Sequence, residues 1–172
     1  MKDGLFKEIA YSKILTFLTL YLVTIIYESL FSELLRVGPA RLDVPLLLLI
    51  YVTLTRGTKD GIVFAFGLGL LQDALAPLRM GIGSLVKVGL AYAIGQSKES
   101  LYLENLFSKV LVILVAALMN DLMRYVVLYW QSGDKLSAVL IGSILPTALY
   151  TSGVAGLAMF LAGKGRLRPE AA

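Results

Sequence analysis

The sequence predicts an all-α integral membrane protein with six transmembrane helices. Of its 172 residues, 58% are hydrophobic and only 16% are charged, and the mean hydropathy is +0.79. A soluble domain of this size has too much surface for its volume to bury so much apolar side-chain area. The apolar residues also fall into six runs, and the basic residues collect between those runs. We therefore expect lipid to surround most of a single domain, 1–172, with no separate soluble module.

The first two runs follow polar stretches. The first run has no small-residue cleavage site after it and is too long for the core of a signal peptide, so we predict a membrane span. Gly38 and Pro39 indicate a turn before the second run. Pro45 lies near the start of that run, where a helix tolerates proline. The six predicted spans are 14–31, 44–55, 61–75, 82–94, 109–130 and 136–162.

The later runs differ in character. A short basic loop, 56–60, leads into a third run rich in glycine, and a break at 77–81 separates the third run from the fourth. The fifth run ends in aromatic residues that include Trp130, which suit the headgroup level. The sixth run contains Pro146, which is expected to kink it, and glycines that permit close helix approach. Those glycines are Gly142, Gly153 and Gly156.

Residues 96–108 are polar with scattered apolar side chains. Two interpretations stay open. The segment is either an amphipathic helix lying at the membrane interface or an ordinary cytoplasmic loop with the adjoining helix ends.

The distribution of Lys and Arg predicts the orientation. If both termini are cytoplasmic, most basic residues of the connections and tails face the cytoplasm, as the positive-inside rule requires. Both termini on one side also require an even number of spans. The cytoplasmic set is Lys2, Lys7, Lys13, Arg56, Lys59, Lys98, Lys109, Lys164, Arg166 and Arg168, and the outer set is Arg36, Arg41, Arg79 and Lys135.

The composition also excludes several functions. The chain has no cysteine and no histidine, which removes thiolate sites, the commonest general base and the Ser-His nucleophile pair. We expect no metal, no cofactor and no enzymatic activity. The net charge of +4 does not indicate nucleic-acid binding, because the basic residues lie at segment ends rather than on one patch.

Five charged residues fall inside or at the ends of the predicted spans. They are Glu28, Asp73, Lys87, Asp121 and Arg124. Each costs about 2.5–3.5 kcal/mol at the centre of a membrane helix, so each should be paired or face a polar interior. With the predicted topology, all five lie in the outer half of the bilayer.

Three interpretations of these charges stay open. They form a structural cluster that fixes helix register, or a pocket or partner-docking surface open to the outside, or separate side chains that extend to the interface, which suits Glu28 best. Asp121 and Arg124 are three residues apart and share a helix face, so they pair either with each other or with neighbouring helices. Lys87 has Asp73 or Glu28 as a partner, and Asp73 is expected to pair with Lys87 or Arg124.

Four motifs follow one another in the middle of the chain. They are R-x-D-x-P-L-L-L-L-I-Y at 41–51, G-x-x-x-A-F-x-x-G-L-L-Q-D at 61–73, G-x-x-S-L at 81–85 and A-Y-x-x-G at 91–95. In this region the chain resembles the bacterial rod shape-determining protein MreD family. The family's most recognisable element is a glycine-rich helix that ends in an aspartate, with a glycine that opens the next helix. Gly69, Asp73 and Gly81 match that element, whereas Lys87, Asp121 and Arg124 match no family position.

The resemblance implies a non-enzymatic component of the cell-elongation machinery in the bacterial inner membrane. Its implied partners are an MreC-like bitopic membrane protein and, further, MreB, RodA and the transpeptidase partner of RodA, in support of peptidoglycan synthesis. It also implies a fold similar to the substrate-binding subunit of energy-coupling-factor transporters.

That fold similarity supplies an alternative function, a small-molecule-binding subunit of a vitamin transporter. A carrier needs a cavity of several hundred cubic ångströms with convergent polar groups. A scaffold instead needs charges that satisfy one another and an exposed groove for a partner helix.

Overall fold

The computed structural model describes the backbone of residues 2–75, 81–97, 106–129 and 136–164, and the side chains of residues 11–75, 81–97, 106–126 and 136–161. The described residues form six helices and no strand. Helices α1 and α6 each contain a π-helical turn. The helices are α1 (Lys2–Ile26, continued by the π turn Tyr27–Phe31), α2 (Val44–Arg56), α3 (Thr58–Leu75), α4 (Ile82–Ser97), α5 (Leu106–Tyr129) and α6 (Leu136–Val139, the π turn Leu140–Ile144, and Leu145–Lys164).

Each helix lies over one of the six predicted apolar runs. The predicted loop at 56–60 is wrong, because α2 ends at Arg56 and α3 begins at Thr58. Gly57 alone joins them, and its φ of +97° is in the left-handed region that favours glycine. Several predictions lie outside the described residues: most of the break at 77–81, most of the segment 96–108, Trp130, and the basic tail after Lys164.

Three helices in the described part of the chain are long and apolar enough to cross a membrane. They are Tyr11–Phe31, Leu106–Val126 and Leu136–Leu161. Helix α2 is apolar but shorter. Helices α3 and α4 have 18 and 16 residues, which gives lengths of about 27 and 24 Å at 1.5 Å per residue. These two are therefore slightly shorter than a typical hydrocarbon core of about 30 Å.

The centre of the molecule is the hairpin of α3 and α4, with α2 packed against both. Phe64 and Leu68 of α3 are completely buried, as are Leu46 and Leu49 of α2. Gly69 brings the two hairpin helices into backbone contact, since a Cβ added there would overlap the backbone of Ser84. Close packing of this kind is how membrane helices associate when both sides of each helix are apolar.

The other helices surround this centre. Helix α5 packs against α4 and α6, and α1 lies at the edge against α2 and α3. Phe17 and Tyr21 of α1 pack on Phe64 of α3, with the Tyr21 and Phe64 rings stacked at 5.0 Å. At the same end of the molecule, Lys13 forms an ion pair of 2.8 Å with Asp60.

Helix α6 accommodates its proline in the π turn. The amide of Leu145 donates to the carbonyl of Leu140, five residues earlier, immediately before Pro146. Because proline has no N–H to donate and crowds the carbonyl four residues before it, a local widening of the helix relieves the conflict. The predicted kink at Pro146 thus corresponds to a π turn.

Candidate functional site

Asp73 closes the end of the α3–α4 hairpin. Its carboxylate accepts hydrogen bonds from the backbone amide of Gly81 at 2.8 Å and from that of Gly83 at 3.0 and 3.2 Å. These amides lie at the start of α4, where the first N–H groups of a helix have no partner within the helix and the helix dipole favours a negative charge. Gly83 has no side chain to obstruct this contact, because a Cβ there would overlap the Asp73 carboxylate.

The expected ion pair of Asp73 with Lys87 or Arg124 is wrong. The ion pairs within 4.0 Å in the described part of the chain involve other residues. Backbone amides take the place of a cation at Asp73. Lys87 is completely buried, and its Nζ has no hydrogen-bond partner among the described residues.

Asp43 joins three helices. It is the N-cap of α2, where its Oδ1 accepts from the amide of Leu46 at 2.9 Å. Its Oδ2 accepts from Asn120 of α5 at 3.2 Å, and its own amide donates to Thr151 of α6 at 3.1 Å. One side chain therefore caps a helix and ties α2 to α5 and α6.

A cleft of about 690 Å³ opens at this end of the molecule. Its walls come from the last turns of α1, α3 and α5, the first turns of α6, and the connection between α1 and α2. Glu28, Asp121 and Arg124 all line it. Glu28 Oε1 accepts from Gln72 Nε2 at 2.6 Å, which ties the end of α1 to α3. Glu28 is thus held by a neighbouring helix and does not extend alone to the interface.

Asp121 and Arg124 share a helix face but are not within 4.0 Å of each other as an ion pair. Asp121 Oδ1 accepts instead from Asn120 Nδ2 at 3.1 Å. Arg124 lines the cleft and has no hydrogen bond or ion pair within the described residues. Of the two pairings left open, an ion pair between Asp121 and Arg124 does not form, and no ion pair of Arg124 with a neighbouring helix occurs among the described residues.

Two basic residues of the α1–α2 connection also line the cleft. Arg41 forms an ion pair with Glu33 at 2.7 Å, and Arg36 forms a weaker one with the same carboxylate at 3.4 Å. The turn that carries them has Gly38 at φ +58°, with Val37 and Ala40 bonded to each other through both amides. This confirms the turn predicted at Gly38 and Pro39.

Several buried polar atoms remain without a partner in the described part of the chain. They are Gln72 Oε1, Asn120 Oδ1 and Lys87 Nζ. Native proteins leave few such atoms unbonded, so each requires an explanation. Gln72 also lines the cleft and is only 8% exposed, and its unbonded Oε1 is itself buried.

The structure thus divides the five predicted charges into two groups. Glu28, Asp121 and Arg124 meet in the cleft, whereas Asp73 and Lys87 are buried beside it and do not line it. Sequence reasoning treated Asp43 and Gln72 only as motif positions and missed their contacts. The signal at Asp43 was present, because an aspartate two residues before Pro45 is typical of a helix N-cap. Nothing in the sequence predicted the contact of Gln72 with Glu28, since that contact depends on how α1 packs against α3.

No group of three or more acidic residues in the described residues could hold a metal ion. A family model described as rod shape-determining protein MreD matches residues 8–162, which is most of the chain. The chain belongs to the MreD family. Neither a curated protein nor a solved structure matches it. Asp73 and Gly81, which match the MreD motif in the sequence, are hydrogen-bonded to each other and connect the end of α3 to the start of α4.

Proposed function

We propose that this chain is a non-enzymatic scaffold of the cell-elongation machinery in the bacterial inner membrane. The observation that carries the proposal is the MreD family match over nearly the whole chain, which implies a role in rod shape determination. In this role the chain binds an MreC-like bitopic membrane protein and supports peptidoglycan synthesis, together with MreB, RodA and its transpeptidase.

The arrangement of the helices supports docking of a partner helix. Gly142 and Gly153 of α6 lie about three turns apart, and a Cβ added to either would meet no atom within 4 Å. These glycines therefore serve no packing role within the described chain and leave room for close approach from outside. Gly156 differs, because it packs against Val110 of α5.

The test is co-purification of the chain with its MreC-like partner after co-expression, in mild detergent. We expect a stable complex, and a complex weakened by Gly153→Leu, which fills the open face of α6. Gly89→Leu is the matched control, since Gly89 is an equally open glycine on α4. Absence of a complex at micromolar concentration would count against the proposal, as would equal loss in both variants.

We further propose that all six helices cross the membrane and that both termini are cytoplasmic. The lengths of α3 and α4 are compatible with spans in a locally thinned bilayer. The chain lacks cysteine, so single cysteines report sidedness directly. Ser97→Cys should react from the cytoplasm and Val37→Cys from the outside, and the reverse pattern would overturn the orientation.

The alternative function, a vitamin-transporter subunit, gains no support from the comparisons. No solved structure matches the chain, so the implied similarity to energy-coupling-factor subunits stays a prediction. The cleft does meet the size criterion for a ligand pocket. The side chains that line the cleft therefore have to indicate which class of ligand it binds.

A further inference from the structure

We propose that the cleft binds the headgroup of an aminophospholipid of the phosphatidylethanolamine class, with the phosphate on Arg124 and the primary ammonium between Glu28 and Asp121. This inference goes beyond the scaffold function and does not depend on which protein partner the chain binds. It rests on the mixture of free donors and free acceptors in one cavity and on where that cavity lies.

The cleft wall offers a free cation. Arg124 has no carboxylate within 4.0 Å among the described residues, and it lies in a partly buried position where water solvates it incompletely. A guanidinium presents a planar set of N–H donors that matches two oxygens of a phosphate. Arg36 and Arg41 stand on the same cleft, although Glu33 already neutralises part of their charge. An anion is therefore favoured at this side.

The same cleft also offers acceptors without donors. Glu28 accepts a hydrogen bond from the Gln72 amide, and no other donor to its carboxylate lies among the described residues. Asp121 accepts from the side chain of Asn120, and the described part of the chain supplies no further donor to it. A carboxylate has about four acceptor sites, so both retain unused capacity. These groups require N–H donors, and a primary ammonium supplies three of them together with a positive charge.

A ligand that binds both the guanidinium of Arg124 and the carboxylates of Glu28 and Asp121 needs an anionic group and an ammonium group. The phosphoethanolamine group has both, joined by two carbons. The volume of about 690 Å³ falls within the range of ligand pockets and admits this headgroup with its glycerol. A quaternary ammonium would not serve, because it has no N–H to donate.

The position of the cleft points to a lipid as the source. It lies at the ends of the helices, where headgroups lie if the helices cross the membrane. Apolar surface is exposed at this end: Leu75 lines the cleft and is 48% exposed, and Leu30 and Ile141, on two helices that contribute to the cleft, are 69% and 68% exposed. Acyl chains attached to a headgroup in the cleft would cover this surface.

The test is native mass spectrometry of the full chain released from nanodiscs that contain equal fractions of phosphatidylethanolamine and phosphatidylcholine. These lipids share the phosphate and differ in the amine, which is a primary ammonium in phosphatidylethanolamine and a larger trimethylammonium without N–H donors in phosphatidylcholine. We expect phosphatidylethanolamine to be retained about tenfold more often, as for one charge-assisted hydrogen bond worth about 1.4 kcal/mol. Equal retention of the two lipids by the wild-type chain would overturn the proposal.

Variants separate the two halves of the site. Arg124→Gln should reduce retention of both lipids by about tenfold, because both carry the phosphate. Glu28→Gln should mainly remove the preference for phosphatidylethanolamine. Arg56→Gln is the matched control, since Arg56 lies at the other end of the molecule and donates to Thr16. An equal effect of Arg56→Gln would overturn the proposal, and the melting temperature of each variant shows that it is folded.

Two further experiments distinguish a phospholipid in the cleft from a soluble ester and from a polypeptide. Soluble glycerophosphoethanolamine should displace the lipid only at far higher concentration, because acyl chains add about 0.8 kcal/mol per buried CH₂. Equal potency would assign the cleft to a soluble ester and overturn the proposal. A photo-crosslinking residue at Ser143 in whole membranes should gain the mass of a phospholipid, and an adduct with a polypeptide instead would likewise overturn it.

Discussion

Two charged sites at the same end of the molecule differ in how completely they are satisfied. At the hairpin site, both oxygens of Asp73 accept from backbone amides of α4. In the cleft, Arg124 has no partner within the described residues, and Gln72 Oε1 is buried without one. The first site is satisfied within the described residues, whereas the second leaves polar groups without partners among them.

The difference shows which charges serve the fold and which remain for binding. Removal of the Asp73 carboxylate would leave the amides of Gly81 and Gly83 without their acceptor, at a cost of about 1–3 kcal/mol, so Asp73 stabilises the hairpin. A partly exposed guanidinium without a partner costs the fold little to remove. Mutations at the hairpin should therefore change stability, whereas mutations in the cleft should change what the protein binds.

The largest effect is expected at the helix contact beneath the hairpin site. Gly69→Ala places a Cβ on the backbone of Ser84, so α3 and α4 must move apart. Overpacking of this kind costs about 3 kcal/mol, which corresponds to a drop of about 6–12 °C in Tm for a chain of this size. Thermal denaturation in detergent, followed by size-exclusion chromatography, measures it.

Gly89→Ala is the control for that measurement. Gly89 is on the same hairpin, but no atom lies within 4 Å of its added Cβ, so Tm should stay the same or rise slightly. Equal losses in the two variants would show that the α3–α4 contact is not the tight one described.

A smaller loss is expected at Asp73. Asp73→Asn replaces one acceptor oxygen by an NH₂ group that faces the amides of Gly81 and Gly83, and one unsatisfied buried donor costs about 1–3 kcal/mol. Tm should fall accordingly. The loss should persist in a Lys87→Met background, because the amides lose their acceptor whether or not Lys87 is present. If Lys87→Met abolished the effect, an Asp73–Lys87 ion pair would be the better explanation.

The sequence predicted the helices well because hydropathy decides them. Apolar runs in lipid must satisfy their own backbone groups, so they become helices wherever they lie. It also predicted that Glu28, Asp121 and Arg124 share one end of the molecule, which follows from alternating helix direction. It predicted the join between α2 and α3 less well, since Gly57 alone makes the turn that looked like a loop of five residues.

The partners of the charges were not predictable in the same way. Which group meets Asp73 depends on the backbone amides at the start of α4, and these carry no signal in a pattern of side chains. The pairing of Glu28 with Gln72 depends on the packing of α1 against α3. The predicted topology shows which charged residues lie at a similar depth in the membrane. It does not show whether each of them forms an ion pair, caps a helix or has no partner, because that depends on side-chain geometry.

The smallest effect is expected at Lys87, and it has the opposite sign. Its ammonium is completely buried without a hydrogen bond among the described residues, so Lys87→Met removes an uncompensated charge while keeping most of the volume. We expect Tm to rise, by the equivalent of about 1 kcal/mol, the lower end of what replacing buried charges by apolar groups yields.

Lys13→Met is the control, because Lys13 has a partner, Asp60 at 2.8 Å, and is 48% exposed. That variant should lower Tm slightly, by ~0.5 kcal/mol or less. A fall in Tm at Lys87 as well would mean that the ammonium is compensated inside the membrane, and Lys87 would then belong with Asp73 among the charges that hold the fold together.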